Sequence, residues 1–199
     1  MENIFDIVHQ TQRGYRKLLN SMSRPGEIEN LSCECEDMES YVTCFKGTQL
    51  LMLMLLDGEV SFNIQSTNTE KDKNIIKELT GSKVEEFSKS DFIFISEENI
   101  EMLNEIICNC KNGSLINPHK SALILFEVPN ILDGYNVVLK GPGIKDYKEI
   151  RLPKYDKFKT AREDKNIEFP RGIDIVILDK ENRIMCIPRT TNIEDRRCL

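Results

Sequence analysis

Two arginines, two threonines and an aspartate near the end of the chain have the types and spacing to hold an anion. Arg171 and Asp174 flank the start of one β-rich run, Ile173–Leu178, and Arg189, Thr190 and Thr191 follow the end of another, Arg183–Ile187. Only Asp179-Lys180-Glu181-Asn182 separates the runs. A connection that short allows an antiparallel hairpin and forbids a parallel crossover, which needs about a dozen residues or more. In a hairpin the start of the first strand lies beside the end of the second, so Arg171 and Arg189 are expected at one end of one sheet. Two guanidinium forks with two hydroxyls can grip a carboxylate or a phosphate, or a partner protein presenting one. The alternative is internal: Asp174 and backbone carbonyls satisfy both arginines, as structural ion pairs often do.

Elements that must position these residues can be read from periodicity. Ile4, Val8, Thr11, Tyr15, Leu18 and Met22, widened by Phe5 and Leu19, form one stripe of an amphipathic helix ended by Pro25-Gly26. That stripe is read as core or subunit packing, and Arg13, Arg16 and Lys17 as a solvated face. Lys46–Leu56 reads as a helix apolar nearly all round, with Met52 and Met54 filling core. Lys71–Leu79, Glu97–Asn109 and a charged, surface-lying Lys157–Asn166 are further helices. Strands are expected at Glu27–Leu31, Val60–Ile64, Phe92–Ile95, Ala122–Val128, Asn136–Leu139 and Glu149–Leu152. Helices and strands alternate early and strands dominate later, which gives a single α/β domain over 1–199, a mixed sheet covered by helices on both faces.

Composition narrows the function. The 199 residues are 40% hydrophobic, enough for a sizeable core. A net charge of −6 is the wrong sign for wrapping nucleic acid. The N-terminal residues Met1–Phe5 lack the pattern of a signal peptide, and the longest apolar run, Leu50–Leu56, is too short to span a bilayer. A soluble cytoplasmic protein is expected, without membrane or nucleic-acid partners. The seven cysteines suit no disulfide framework. Cys33-Glu34-Cys35 and Cys108-Asn109-Cys110 have one intervening residue where structural zinc sites use about two to four. Two helical positions separated in that way project about 200° apart, so no metal is assigned. In Gly141-Pro142-Gly143-Ile144, Pro142 presets φ and Gly143 supplies the positive φ of a type II turn. The turn lacks the glycine spacing and following helix of a dinucleotide or P-loop site.

Three segments carry a family resemblance. FPRGIDIVIL with IPRTT, the stretch Tyr15–Gly26 ending in Arg24-Pro25-Gly26, and Leu139-Lys140-Gly141-Pro142-Gly143-Ile144 together resemble the PhnH family, H subunits of the bacterial carbon–phosphorus lyase system. The segments run from Tyr15 to Thr191, so the resemblance covers nearly the whole chain. It implies a three-layer α/β/α fold related in topology to the large domain of pyridoxal-phosphate-dependent transferases, without that cofactor. It also implies a subunit of the core complex for phosphonate catabolism. There the G, H, I and L subunits together transfer the ribose triphosphate of ATP to an alkylphosphonate, and the J subunit later breaks the C–P bond with an iron–sulfur cluster and S-adenosylmethionine. The implied partners are the G, I, J and L subunits, with a homodimer in isolation, and the implied role is assembly and support. Arg24, Gly141, Pro142, Gly143, Arg171, Asp174, Arg189, Thr190 and Thr191 are the candidate binding or interface residues, and no residue is given a catalytic role.

Asn117-Pro118-His119-Lys120 resembles the His-Lys pair around the Schiff-base lysine of some pyridoxal-phosphate decarboxylases. The chain is about half the length such enzymes need, and no aspartate is placed to hold a pyridinium nitrogen. The family pattern has Pro-Glu where this chain has Pro118-His119, so no function is carried to His119 or Lys120. The second reading is a small stand-alone enzyme taking an anionic substrate at the Arg171/Arg189 sheet end.

Overall fold

The computed structural model describes residues 6–196; Ile4 and Phe5 of the N-terminal stripe lie outside them. The chain begins with α1 (Ile7–Ser23), β1 (Ile28–Asn30), a one-turn α2 (Ser32–Cys35) and α3 (Lys46–Leu55). It continues through β2 (Ser61–Gln65), α4 (Thr69–Thr80), β3 (Lys83–Val84) and β4 (Phe92–Ile95). A 3-10 helix, Glu97–Met102, then runs into α5 (Leu103–Asn109), and a second one, Pro118–Lys120, precedes β5 (Leu123–Val128). The last elements are β6 (Tyr135–Lys140), β7 (Lys148–Leu152), α6 (Tyr155–Asn166), β8 (Asp174–Asp179), β9 (Arg183–Ile187) and β10 (Asn192–Asp195).

Seven strands form a mixed sheet in the order β1-β9-β8-β5-β4-β2-β3. β3, β2, β4, β5 and β8 run parallel, and β9 and β1 continue antiparallel. Along β4, β5, β8 and β9 the side chains alternate between two buried clusters. Ile93, Ile124, Phe126, Ile175, Ile177 and Met185 pack on one face with α5 and α6. Phe94, Leu125, Val176, Leu178, Ile184 and Cys186 pack on the other with residues of α1, α2, α3 and α4. Strands apolar at every position are what a sheet covered on both sides requires, and the result is three layers.

The sequence leads one to expect one sheet, and the structure has two. β10, β6 and β7 form a separate antiparallel sheet. The reason lies in their patterning: in β6 and β7 only Val137, Leu139 and Leu152 are fully buried, alternating with exposed Asn136, Lys140, Glu149 and Arg151. Such strands have one apolar face and cannot be interior strands of a sheet covered on both sides. Their apolar side joins the cluster under α5 and α6.

Three helices also differ from expectation. Glu97–Asn109 is not one α-helix; its first half is wound as 3-10, which aligns Ile100 and Leu103, both buried, three residues apart. α6 is not merely a surface helix, since Tyr155, Phe158, Ala161 and Arg162 are buried, with the Phe158 ring 5.7 Å from that of Phe126. On α1 the buried line is Gly14, Leu18 and Ser21, whereas Ile7, Val8, Tyr15 and Leu19 remain exposed. α3 is buried through Gly47–Met52, as its composition requires.

One buried carboxyl positions α3. Glu127, at the end of β5 and 1% exposed, accepts from the Phe45 N–H (2.7 Å) and the Thr48 hydroxyl (2.6 Å) through Oε1. Its Oε2 accepts from the Glu97 N–H at 3.4 Å. Burial pushes the carboxyl up to about 7, against hydrogen bonds that act in the opposite direction. The folded value lies above the unfolded one, so protonation favours the fold. This contribution is complete below about pH 4.5 and is lost as pH rises through about 7. The melting temperature should therefore fall across that window. Glu127→Gln, which keeps an acceptor for Phe45 and Thr48, should flatten the fall when melting is followed against pH.

Candidate functional site

The β8–β9 hairpin closes through the Asn182 N–H to the Asp179 carbonyl (2.9 Å), with Asn182 at φ 56°. At its other end Ile175 faces Ile187, which sets Asp174 beside Arg189. The Arg189 N–H donates to Asp174 Oδ1 at 2.8 Å, Nε reaches both Asp174 oxygens at 3.2 Å, and Nη2 reaches Oδ2. Arg189 Nη1 donates to the Pro118 carbonyl (2.8 Å) and Nη2 to the Ser121 hydroxyl (2.5 Å). Every guanidinium nitrogen of Arg189 is therefore engaged within its own chain. Arg171 has a different carboxylate, donating from Nη1 to Glu168 at 2.8 Å. The hairpin register is as the sequence requires, yet no hydrogen bond or shared carboxylate joins the two arginines.

The turns named in the sequence pack on one another. The Gly141–Ile144 turn closes with the Ile144 N–H on the Gly141 carbonyl (3.2 Å) and Gly143 at φ 82°, the type II geometry expected. A Cβ on Gly143 would run into the Ser23 carbonyl oxygen and Pro25, and one on Gly141 would sit 2.7 Å from the Thr190 carbonyl oxygen. A Cβ on Gly26 would come 2.9 Å from the Leu139 side chain and 3.2 Å from that of Ile150. Arg24, exposed at the end of α1, and Gly143 line a cavity of about 230 Å³ with Glu27, Lys145, Tyr147 and Lys148. There Lys148 pairs with Glu27 at 2.5 Å.

A second cavity, about 350 Å³, opens between α6 and the turn that joins β9 to β10. Arg189 and Thr191 line it together with Tyr155, Lys159, Arg162 and Asn166. Arg162 is only 4% exposed. Its Nη2 donates to the Pro188 carbonyl (2.8 Å) and the Thr191 carbonyl (2.9 Å), and among the described residues no carboxylate pairs with it. Burial pulls this guanidinium down to about 10, so it is still a cation at neutral pH. Tyr155 Oη, Arg162 Nε, Asn166 Nδ2 and Thr191 Oγ1 are buried without a hydrogen-bond partner. Each such group costs about 1–3 kcal/mol when left unpaired. Arg162, Tyr155 and Asn166 were hidden in the sequence by the charge of their segment. The readable signal was the spacing of Tyr155, Phe158 and Arg162, which puts all three on one helix face.

The thiols and the His-Lys pair show no comparable arrangement. Cys33 and Cys108 are exposed, while Cys35 and Cys110 are buried. Burial pushes the thiols of Cys35 and Cys110 up to about 12 and 11. No group of acidic, Cys and His residues suited to a metal ion occurs among the described residues. His119 and Lys120 are exposed on the 3-10 turn whose Pro118 carbonyl accepts from Arg189.

Residues 3–194 match the family model described as bacterial phosphonate metabolism protein (PhnH). The chain belongs to the PhnH family. It is 36% identical over 85 residues to the alpha-D-ribose 1-methylphosphonate 5-triphosphate synthase subunit PhnH of Rhizobium meliloti, covering 41% of each chain. It is 30% identical over 82 residues to the putative C-P lyase subunit protein HtxG of Stutzerimonas stutzeri, covering 41% of this chain and 42% of that one. The chain thus spans about two-fifths of the length of these curated relatives. Parts of the three segments that carry the resemblance meet in space: at Gly141 and Gly143 the chain after β6 approaches the β9–β10 turn and the end of α1 too closely for a Cβ.

The two arginines should differ on substitution. Arg189→Lys keeps a charge for Asp174 but loses the fork to Pro118 and Ser121, and should cost about 1–3 kcal/mol in denaturant unfolding. Arg171→Lys exchanges one partly exposed pair for another and should cost less than about 1 kcal/mol.

Proposed function

We propose that this chain is the H subunit of a carbon–phosphorus lyase core complex, acting with G, I and L subunits to transfer the ribose triphosphate of ATP to an alkylphosphonate, before a J subunit breaks the C–P bond. Its role in this reading is assembly and support. The observation that carries it is the PhnH family match over residues 3–194, nearly the whole chain. The names of the two relatives, one a synthase subunit and the other a putative C–P lyase subunit, support the same assignment.

A subunit needs surface to offer. Ile7, Val8, Tyr15 and Leu19 are 48%, 70%, 45% and 49% exposed along α1. An apolar helix face left uncovered suits a protein contact, either with a sister subunit or with a second copy in the homodimer we propose for the isolated chain. No helix among the described residues is long and apolar enough to cross a membrane, and a cytoplasmic location is part of the proposal. The two core clusters share strands β4, β5, β8 and β9, which supports one folding unit. Five parallel strands covered on both faces are also compatible with kinship to the large domain of pyridoxal-phosphate-dependent transferases, a kinship we propose for the fold and not the chemistry.

Affinity-tagged chain should retain G, I and L subunits when all are co-expressed; recovery of the chain alone, with the sister subunits soluble, would sink the assignment. Leu19→Asp should leave melting within about 0.5 kcal/mol of wild type yet reduce either that retention or the dimer mass in light scattering. With added pyridoxal phosphate and borohydride the isolated protein should stay colourless and unlabelled at Lys120. Label there, or turnover by the isolated chain, would favour the stand-alone enzyme.

A further inference from the structure

We infer that the cleft between α6 and the β9–β10 turn binds a small, acceptor-rich organic oxyanion, with Arg162 and Thr191 meeting its charged group. The charges around the cleft single out Arg162. Arg189 is neutralised by Asp174, Lys159 by Asp195, and Glu194 is held by Lys140 at 2.8 Å. Glu163 is exposed at the rim. This leaves Arg162 as a buried cation that no carboxylate among the described residues contacts, Asp174 and Glu163 acting on it only at a distance, with its Nη2 occupied by two carbonyls and its Nε unpartnered.

The other walls carry the same demand. Tyr155 and Thr191 are 3% and 1% exposed, and their hydroxyls have no partner; nor has the Asn166 amide nitrogen. All of these groups can donate a hydrogen bond, so a ligand rich in acceptors completes them. Water could serve the hydroxyls but would bring no charge into contact with the guanidinium. Tyr155 and Asn166 stand at opposite ends of α6, about 16 Å apart along its axis. One bare anion cannot reach both, whereas an oxyanion on a polar organic body can. The volume, about 350 Å³, falls in the range of small-molecule sites. Phosphate, phosphonate and carboxylate share the required chemistry.

The inference rests on the walls of this cleft and not on the proposed complex, so the isolated full chain tests it. Melting is followed with glycerol 3-phosphate, inorganic phosphate, acetate and chloride at matched ionic strength. Glycerol 3-phosphate should raise the melting temperature most, and phosphate more than chloride. Acetate matching phosphate would support the site and assign a carboxylate as its charged group. The double variant Tyr155→Phe with Thr191→Val removes only hydroxyls that lack partners. Without anion it should melt at or above the wild-type temperature. Its apparent affinity for glycerol 3-phosphate should be weaker by about tenfold or more. The inference is overturned if no oxyanion exceeds chloride on wild type, or if the double variant responds as wild type does.

Discussion

The Asp174–Arg189 pair is the constraint on which the second half of the fold depends. β8 is buried on both faces from Ile175 to Leu178, so polar groups can be placed only at its ends. Asp179 occupies one end, fully buried, and takes the Arg183 side chain together with the N–H groups of Ile131, Glu181 and Arg183. Asp174 occupies the other end and takes Arg189. Removing one member of such a pair strands its partner in a poorly solvated place, so the hairpin is held at both ends. The Arg189 end does more than close a hairpin. It reaches the Pro118–Ser121 segment and fixes the Pro188–Thr191 turn, where the Thr191 N–H meets the Pro188 carbonyl at 3.0 Å. That turn carries the chain out of the large sheet and into β10 of the small one.

From the opposite side, α6 grips the same turn through Arg162. Two arginines thus hold one turn, but with different electrostatic outcomes. Arg189 has a carboxylate and is internally complete, while Arg162 has two carbonyls and, among the described residues, no carboxylate in contact. The small sheet is then pressed onto this region by glycines. Gly141 lies against the Thr190 carbonyl and Gly143 against the end of α1, with no room for a Cβ at either position. The Gly141–Ile144 turn therefore serves first to join the small sheet to the end of α1 and the β9–β10 turn, and any anion site it borders inherits its rigidity from that joint.

How much of this was legible follows from how local each feature is. The apolar strands Phe92–Ile95 and Ile173–Leu178, the short hairpin connection and the Gly141–Ile144 turn each encode their conformation within a few residues, and each forms within one residue of the expected bounds, the second strand as Asp174–Asp179 and the connection as three residues rather than four. β10 is short and half polar, and it exists because Asn192–Asp195 finds Val137–Lys140 of β6, a partner no local pattern announces. The split into two sheets was in principle visible in the alternation of β6 and β7, but only burial decides that one face suffices. Arg189 with Asp174 was foreseen as the internal alternative to an anion site, because both residues were adjacent in the hairpin. Arg162 was not foreseen. A charged residue in a charged helix reads as solvent-facing, and its burial comes from the rings of Tyr155 and Phe158 drawing that helix face onto the sheet.

The contrast between the arginines bears on what the cleft is for. A buried cation selected only for stability would be expected to resemble Arg189, with a carboxylate and a full set of acceptors, since an incomplete polar network is worse for folding than an apolar one. Arg162 departs from that rule, and Tyr155, Asn166 and Thr191 depart from it in the same cleft. Natural chains break local rules of polar satisfaction mainly where function compensates. One unpaired hydroxyl in a structure carries little meaning. Four unpaired donors, one of them on a buried guanidinium, lining one cleft beside the joint between the two sheets, form a site that is complete only when something rich in oxygen acceptors occupies it.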